Sequence, residues 1–184
     1  NTTLTLSDYK LNTDFEFGTL NIDGNNDKES FELNYLSGIR DYAVKMDLDL
    51  VPNPNHFVRT GVSIINHVFK PGKFTLVNIN TAQNLNRNEV IGQQDISTLE
   101  AAVYAEDDYN INKKLKVNAG LHYSLFNVSK KTYHSLQPRL GLRYLVTKNS
   151  SIKASFTTMR QYINLLAFEG IGLPTDIWVP ATER

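Results

Sequence analysis

The chain alternates apolar and polar residues with a period of two over most of its length. Between Asp41 and Leu50 every even position is apolar, and four of the five odd positions are charged. A helix would scatter these residues around its circumference, whereas a strand places the apolar side chains on one face. The alternation recurs at 9–18, 58–64, 99–106, 115–125, 136–146 and 152–158. The sequence therefore predicts about seven antiparallel β-strands and no helix.

Turn signals arrange these segments as an up-and-down meander. Short polar or proline-containing turns are predicted at 51–55, 110–114 and 147–150. A turn is also predicted around 21–28, a long connection at 71–95, a medium one at 127–135 and a tail from 164. The predicted strands are longer than the usual 5–6 residues or so, and about 9–11 tilted residues suffice to cross a bilayer. Long strands and alternating loop lengths are typical of outer-membrane barrels. A soluble antiparallel sheet alternates in the same way, so the pattern alone leaves both architectures open.

Two places break the alternation. Apolar residues stand at odd positions from Phe31 to Ile39 but at even positions from Tyr42 onward. A slip of one residue turns every following side chain to the other face, so we expect a β-bulge or a break near Arg40–Asp41. Residues 160–168 fit neither period, and we expect a strand end that runs into a loop.

Composition excludes several classes of protein. Nineteen Lys and Arg balance nineteen Asp and Glu, which disfavours an electrostatic nucleic-acid binder. The chain is 41% hydrophobic and 21% charged, which disfavours an acidic disordered tail. The absence of cysteine excludes disulfides, thiolate metal sites and cysteine nucleophiles. The sequence contains no apolar run of about 18 residues, so no transmembrane helix is predicted.

Four segments of this chain resemble the barrels of TonB-dependent outer-membrane receptors. Residues 101–126, AAVYAEDDYNINKKLKVNAGLHYSLF, resemble a strand, short turn and strand of that family, with His122 where Arg is commoner. Residues 136–156, LQPRLGLRYLVTKNSSIKASF, resemble the hairpin that follows. Residues 41–62 resemble an upstream hairpin, and residues 159–184 resemble the segment after the second hairpin. The resemblance covers most of residues 30–184.

The resemblance implies an all-β, antiparallel meander of about seven long strands that forms part of a transmembrane β-barrel, normally of 22 strands. Residues 1–184 would be a partial barrel domain, with neither a plug domain nor a signal peptide in this sequence. It further implies a Gram-negative receptor that takes up a nutrient or a metal chelate, such as a siderophore complex, across the cell outer membrane. The competing hypothesis is a soluble β-sandwich or small barrel that binds a ligand or saccharide.

The partners expected from the resemblance are outer-membrane lipid, an unknown imported ligand, and TonB, which would act through a missing N-terminal segment. No nucleic-acid partner and no cofactor are expected. About seven strands cannot close such a barrel, so two unpaired edges and a bare apolar face would remain. We therefore expect the isolated fragment to self-associate.

The candidate site residues are polar residues expected to line a barrel lumen, and no catalytic or metal-binding set is predicted. Glu100 and Glu106 share a face but lie six residues apart on one strand, too far for paired-carboxylate catalysis. Arg139 and Arg143 would share that face, and we expect cross-strand ion pairs with these glutamates, or else a lumen that attracts a ligand. The full set is Glu100, Tyr104, Glu106, His122, Arg139 and Arg143.

The histidines and the aromatic residues are two further classes of candidate site residues. The four histidines are scattered, so surface or lumen positions are expected rather than a metal site. Aromatic residues could form the girdles found at both membrane boundaries, or could simply pair within the sheet. The aromatic candidates are Tyr9, Tyr42, Phe57, Tyr123, Tyr144 and Trp178.

Overall fold

The computed structural model describes residues 1–19, 29–80, 83–92, 94–168 and 175–181, so the predicted turn at 21–28 lies outside the described residues. The described chain forms strands β1 Thr2–Thr19, β2 Glu29–Asn53, β3 His56–Asn80, β4 Leu85–Gly92, β5 Ile96–Asn110, β6 Leu115–Val128, β7 Lys131–Thr147, β8 Ser150–Thr157, β9 Ile163–Phe168 and β10 Thr175–Pro180. The described residues contain no helix long and apolar enough to cross a membrane.

Eight of the strands form one curled antiparallel sheet with the shape of a half-barrel. Its order is β1-β2-β3-β5-β6-β7-β8, and β4 pairs with the C-terminal part of β3, from Lys73 to Asn80. The remaining two strands, β9 and β10, pair only with each other. The all-β antiparallel meander predicted from the period of two is confirmed.

The predicted long connection at 71–95 is wrong, because most of it is a β-hairpin. Strand β3 continues to Asn80, and its residues from Lys73 onward pair with β2 on one side and β4 on the other. This tract is rich in asparagine, which favours turns in a propensity argument. Pairing on both sides satisfies its backbone hydrogen bonds, so tertiary context overrides that preference.

The predicted connection at 127–135 is also shorter than expected. Strand β6 ends at Val128 and β7 begins at Lys131, which leaves a two-residue loop. Ser129 and Lys130 both have positive φ angles, 47° and 72°. Two successive positive φ values are the signature of a type I′ turn, the turn whose twist matches a tight hairpin. The short turns predicted at 51–55, 110–114 and 147–150 are confirmed.

The break in alternation along β2 has a different origin from the expected bulge at Arg40–Asp41. The β1–β2 ladder is unbroken there. The register shift lies between Leu36 and Gly38, and the extra residue belongs to β3, at Pro71–Gly72, where Gly72 has a φ of 114°. The odd-numbered residues stay on one face along β2. Tyr35 and Ile39 are buried on that face, and the charged residues from Asp41 to Asp49 lie on it further along the strand.

The chain after β8 folds over one face of the sheet rather than continuing as a loop from 164. Tyr162 stacks on Phe126 with ring centroids 4.7 Å apart, and its hydroxyl lies 2.8 Å from Ser124 Oγ. Strand β10 packs against β2 and β3, where Trp178 contacts Tyr9 edge-on at 5.7 Å. We call the face covered by β9, β10 and Tyr162 the inner face, and the opposite one the outer face.

Candidate functional site

The outer face of the sheet is apolar and exposed. Side chains that alternate along β1, β2, β3 and β5 to β8 project from it, and no described residue covers them. We call this surface the apolar belt. Its members are Leu4, Leu6, Tyr42, Val44, Met46, Leu48, Leu50, Val62, Ile64, Leu99, Val103, Leu121, Tyr123, Leu136, Leu140, Leu142, Tyr144, Val146, Ile152 and Phe156.

The height of the apolar belt matches a bilayer. It covers residues 42–50 of β2 and 136–146 of β7. At about 3.3 Å per residue these runs are roughly 30 to 36 Å long. With the tilt of about 35–45° found in membrane barrels, they rise roughly 25 Å, the height of the apolar band in such barrels.

Polar residues interrupt the outer face on both sides of the belt. Beyond Tyr42, Arg40 donates a hydrogen bond to Asp8 at 2.7 Å. At the opposite side, next to the β2–β3 turn, His56 Nδ1 lies 2.6 Å from Asp107 Oδ2, and its ring stacks on Tyr109 at 4.1 Å. The belt therefore has two polar rims separated by a mainly apolar zone, within which the hydroxyl of Thr60 donates to the backbone oxygen of Tyr104.

The predicted interfacial aromatics divide between the two faces. Tyr42, Tyr123 and Tyr144 project from the outer face within the belt. Tyr9 and Trp178 instead contact each other on the inner face, where the Tyr9 hydroxyl donates to Asp176 at 3.0 Å. Phe57 shares its face with Arg59, whose guanidinium lies 5.3 Å from the ring centroid. Three of the six aromatics thus lie on the outer face, where a girdle would lie, and the other three make packing contacts on the inner face.

The inner face between β2 and β5 carries a network of charged and polar side chains. Arg59 bridges Asp49 at 3.2 Å and Glu106 at 3.0 Å. The Tyr104 hydroxyl donates to Asp47 Oδ1 at 2.6 Å. Asp49 and Glu106 are each paired with a cation of the adjacent strand, the cross-strand pairing that stabilises sheets, whereas Asp47 accepts from a hydroxyl two strands away.

His67 lies on the inner face, and the sequence alone did not distinguish it as a candidate site residue. It is 2% exposed, and its Nδ1 lies 2.8 Å from Asp41 while its Nε2 lies 3.5 Å from Glu100. The Phe69 and Phe126 rings flank it, with centroids 6.0 and 6.5 Å away. Nothing in its sequence neighbourhood distinguishes it from the other histidines. Only the strand register brings the two carboxylates to it.

All six predicted lumen residues lie on the inner face, but they do not form one cluster. Glu106 pairs with Arg59, Glu100 approaches His67, and the Tyr104 ring stacks on His122 at 6.3 Å. The set is thus distributed along the wall, on β5, β6 and β7, with its members Glu100, Tyr104, Glu106, His122, Arg139 and Arg143.

The expected ion pairs between the β7 arginines and the β5 glutamates are absent from the described residues. The register shows why. Glu106 faces Gly120 of β6, and Gly120 in turn faces Arg139 of β7. Two strand spacings of about 4.8 Å therefore separate Glu106 from Arg139, and Glu106 is instead paired with Arg59 of the adjacent strand at 3.0 Å. The arginines therefore remain available on the wall.

Metal binding requires several ligand side chains close together. In the part of the chain that the structure describes, no group of three or more His, Cys, Asp or Glu could hold a metal ion. What the inner face offers is a wide polar surface opposite an apolar one.

Comparison with protein families gives one match. The family described as "TonB dependent receptor-like, beta-barrel" matches residues 1–172. No curated protein matches the chain. The family match spans all eight strands of the curled sheet, and it includes the belt and the inner wall together.

Proposed function

This chain belongs to the TonB-dependent receptor-like β-barrel family, and from that premise we propose that it forms part of the barrel wall through which a nutrient or metal chelate crosses the outer membrane. The family consists of outer-membrane transport receptors and is not a class of enzymes.

One observation carries the proposal beyond family membership. A single layer of sheet has an exposed apolar belt on one face and a network of charges on the other. A soluble sandwich would bury its apolar face under a second sheet. In the described residues the two-stranded β9–β10 sheet lies on the other face, so the apolar belt has no cover. Lipid is the cover that fits a belt of this height.

The proposed partners follow from this arrangement. Lipid would contact the apolar belt, and the imported ligand would pass along the inner face. TonB would act through a segment N-terminal to this sequence, as the family implies. Residues 1–184 would all belong to the barrel domain. In the described part β1 and β8 each have a free edge, so further strands would close the barrel.

Fractionation of cells that express the full-length protein tests the proposal. We expect the receptor in the outer-membrane fraction, and we expect it to migrate faster on gels before boiling than after boiling, because folded barrels resist the detergent. A full-length protein that stays in the soluble fraction and shows no shift on boiling would overturn the proposal.

A further inference from the structure

The inner face of β6, β7 and β8 is strongly basic, although the whole chain is neutral. Residues 109–168 contain seven lysines and three arginines but no aspartate or glutamate. Four of these cations lie on the inner face, by their alternation with belt residues. We call this group the basic array, and its members are Lys116, Arg139, Arg143 and Lys153.

The basic array has a regular geometry set by the strand register. Lys116, Arg143 and Lys153 face one another directly across three strands. Two residues further along each strand, at roughly 6.6 Å, stands the polar row of Asn118, Gly141 and Ser155. Arg139 lies two residues beyond Gly141 on β7, so cations border the polar row on both sides.

The cations of the array are poorly compensated. Lys116 contacts Asp108 at 3.0 Å. Arg143 and Lys153 make no ion pair with any described residue. The Nε atom of Arg139 is buried and has no hydrogen-bond partner among the described residues. Like charges directly opposite each other destabilise a sheet. A negatively charged ligand bound among these cations would offset their mutual repulsion.

The space for such a ligand lies at Gly141. A cleft of about 300 Å³ is lined by Lys116, Asn118, Gly141, Arg143, Lys153 and Ser155, together with the apolar residues Leu142 and Ala154. A Cβ added at Gly141 would come no closer than 3.5 Å to its neighbours, so glycine leaves a recess that a side chain could fill. The recess is flanked by Asn118, whose amide donates one hydrogen bond to Asp108 at 3.0 Å and has a second N–H, and by Ser155, whose hydroxyl can donate a hydrogen bond to an oxyanion.

We propose that the cleft at Gly141 binds a soluble ligand that carries phosphate or carboxylate groups, and that Lys116, Arg143 and Lys153, which line the cleft, supply the charge. Guanidinium groups bind such oxyanions through two parallel hydrogen bonds. The proposal rests on the transport function proposed above and narrows the ligand class. A lipid headgroup is not the expected source, because Lys116, Arg143 and Lys153 alternate with the belt residues and so project from the opposite face of the sheet.

The array continues toward the end of the barrel at the β5–β6 turn. A second cleft of about 130 Å³ is lined by Lys113, Lys114, Lys116 and Arg143, so it shares two cations with the first. A continuous basic surface of this kind concentrates anions along one wall. The two clefts therefore form a track on which an anionic ligand would move.

Binding of inorganic pyrophosphate and of citrate, tested separately on the purified full-length receptor at constant ionic strength, tests the proposal. We expect at least one of them to raise the unfolding temperature and to bind in calorimetry. In the double variant Arg143→Gln/Lys153→Gln we expect affinity to fall about tenfold or more, since two charge-assisted contacts are lost. Lys148→Gln, a cation in the β7–β8 turn outside the array, is the matched control and should bind as the parent does.

A second variant separates the cleft from general electrostatic attraction. Gly141→Val fills the recess without changing any charge, and we expect it to weaken binding of the same probe while the gel shift on boiling persists. If neither probe binds the parent, or if both variants bind as tightly as the parent, the inference is overturned. A receptor that fractionates with the outer membrane but fails this test would still support the proposed function.

Discussion

At the scale of single residues, Gly61 shows how the inner wall is packed. A Cβ at this position would stand 2.6 Å from Tyr104 Cε1, 2.7 Å from Asp47 Oδ1 and 2.7 Å from the backbone oxygen of Met46. The Tyr104 ring therefore lies over the bare backbone of the neighbouring strand. In this position its hydroxyl reaches Asp47. An aromatic ring that covers a glycine in this way fixes the local strand register.

We expect Gly61→Ala to destabilise the full-length receptor by about 1–3 kcal/mol, because the new methyl group overpacks a contact that involves the backbone. Gly18→Ala is the matched control, since its nearest contact is 3.8 Å away. Urea unfolding in lipid vesicles measures both. In the double variant Gly61→Ala/Tyr104→Ala part of the loss should be recovered. Equal stability of Gly61→Ala and the control would contradict this packing.

The sequence could place residues on a face but could not choose their partners. Parity alone assigned Glu100, Glu106 and Arg139 to the inner wall, and the structure agrees. Partners depend on how far each strand slides along the next, which no local pattern encodes. That is why Arg59 rather than Arg139 holds Glu106, and why the environment of His67 was not predicted.

At the scale of elements, alternation predicted the strands best where one face is apolar and the other charged. It failed where that contrast is weak. The sequence predicts a loop where β3 and β4 form a polar hairpin, because these asparagine-rich strands have no apolar face. It predicts a longer connection between β6 and β7, because Ser129-Lys130 lacks the glycine that is usual in a type I′ turn.

The β6–β7 turn gives a prediction at this scale. Lys130 has a φ of 72°, a left-handed conformation that costs a residue with a side chain roughly 1–2 kcal/mol. Glycine adopts it without that cost, so Lys130→Gly should raise the free energy of unfolding by up to about 1 kcal/mol. Lys131→Gly, one residue into β7, should lower it instead. Urea unfolding of both variants decides, and a loss of stability in Lys130→Gly would contradict the turn assignment.

At the scale of the whole molecule, the described sheet has two free edges and an uncovered belt. Such surfaces pair with other chains when no strand or lipid covers them. We expect residues 1–184 produced alone to self-associate or to need detergent. Sedimentation of the isolated fragment measures this. A compact monomer without detergent would show that the sheet can close or cover itself, contrary to this account.

The central claim is that one face of the sheet contacts lipid and the other contacts water. A nitroxide attached in turn to a single cysteine at each of residues 42–50, in the full-length receptor in lipid vesicles, measures this directly, and residues 1–184 contribute no cysteine of their own. We predict that accessibility to oxygen, which partitions into lipid, peaks at the even positions. Accessibility to a water-soluble nickel complex should peak at the odd positions. Equal access of the nickel complex to both sets would contradict the account, because it would place the apolar belt in water.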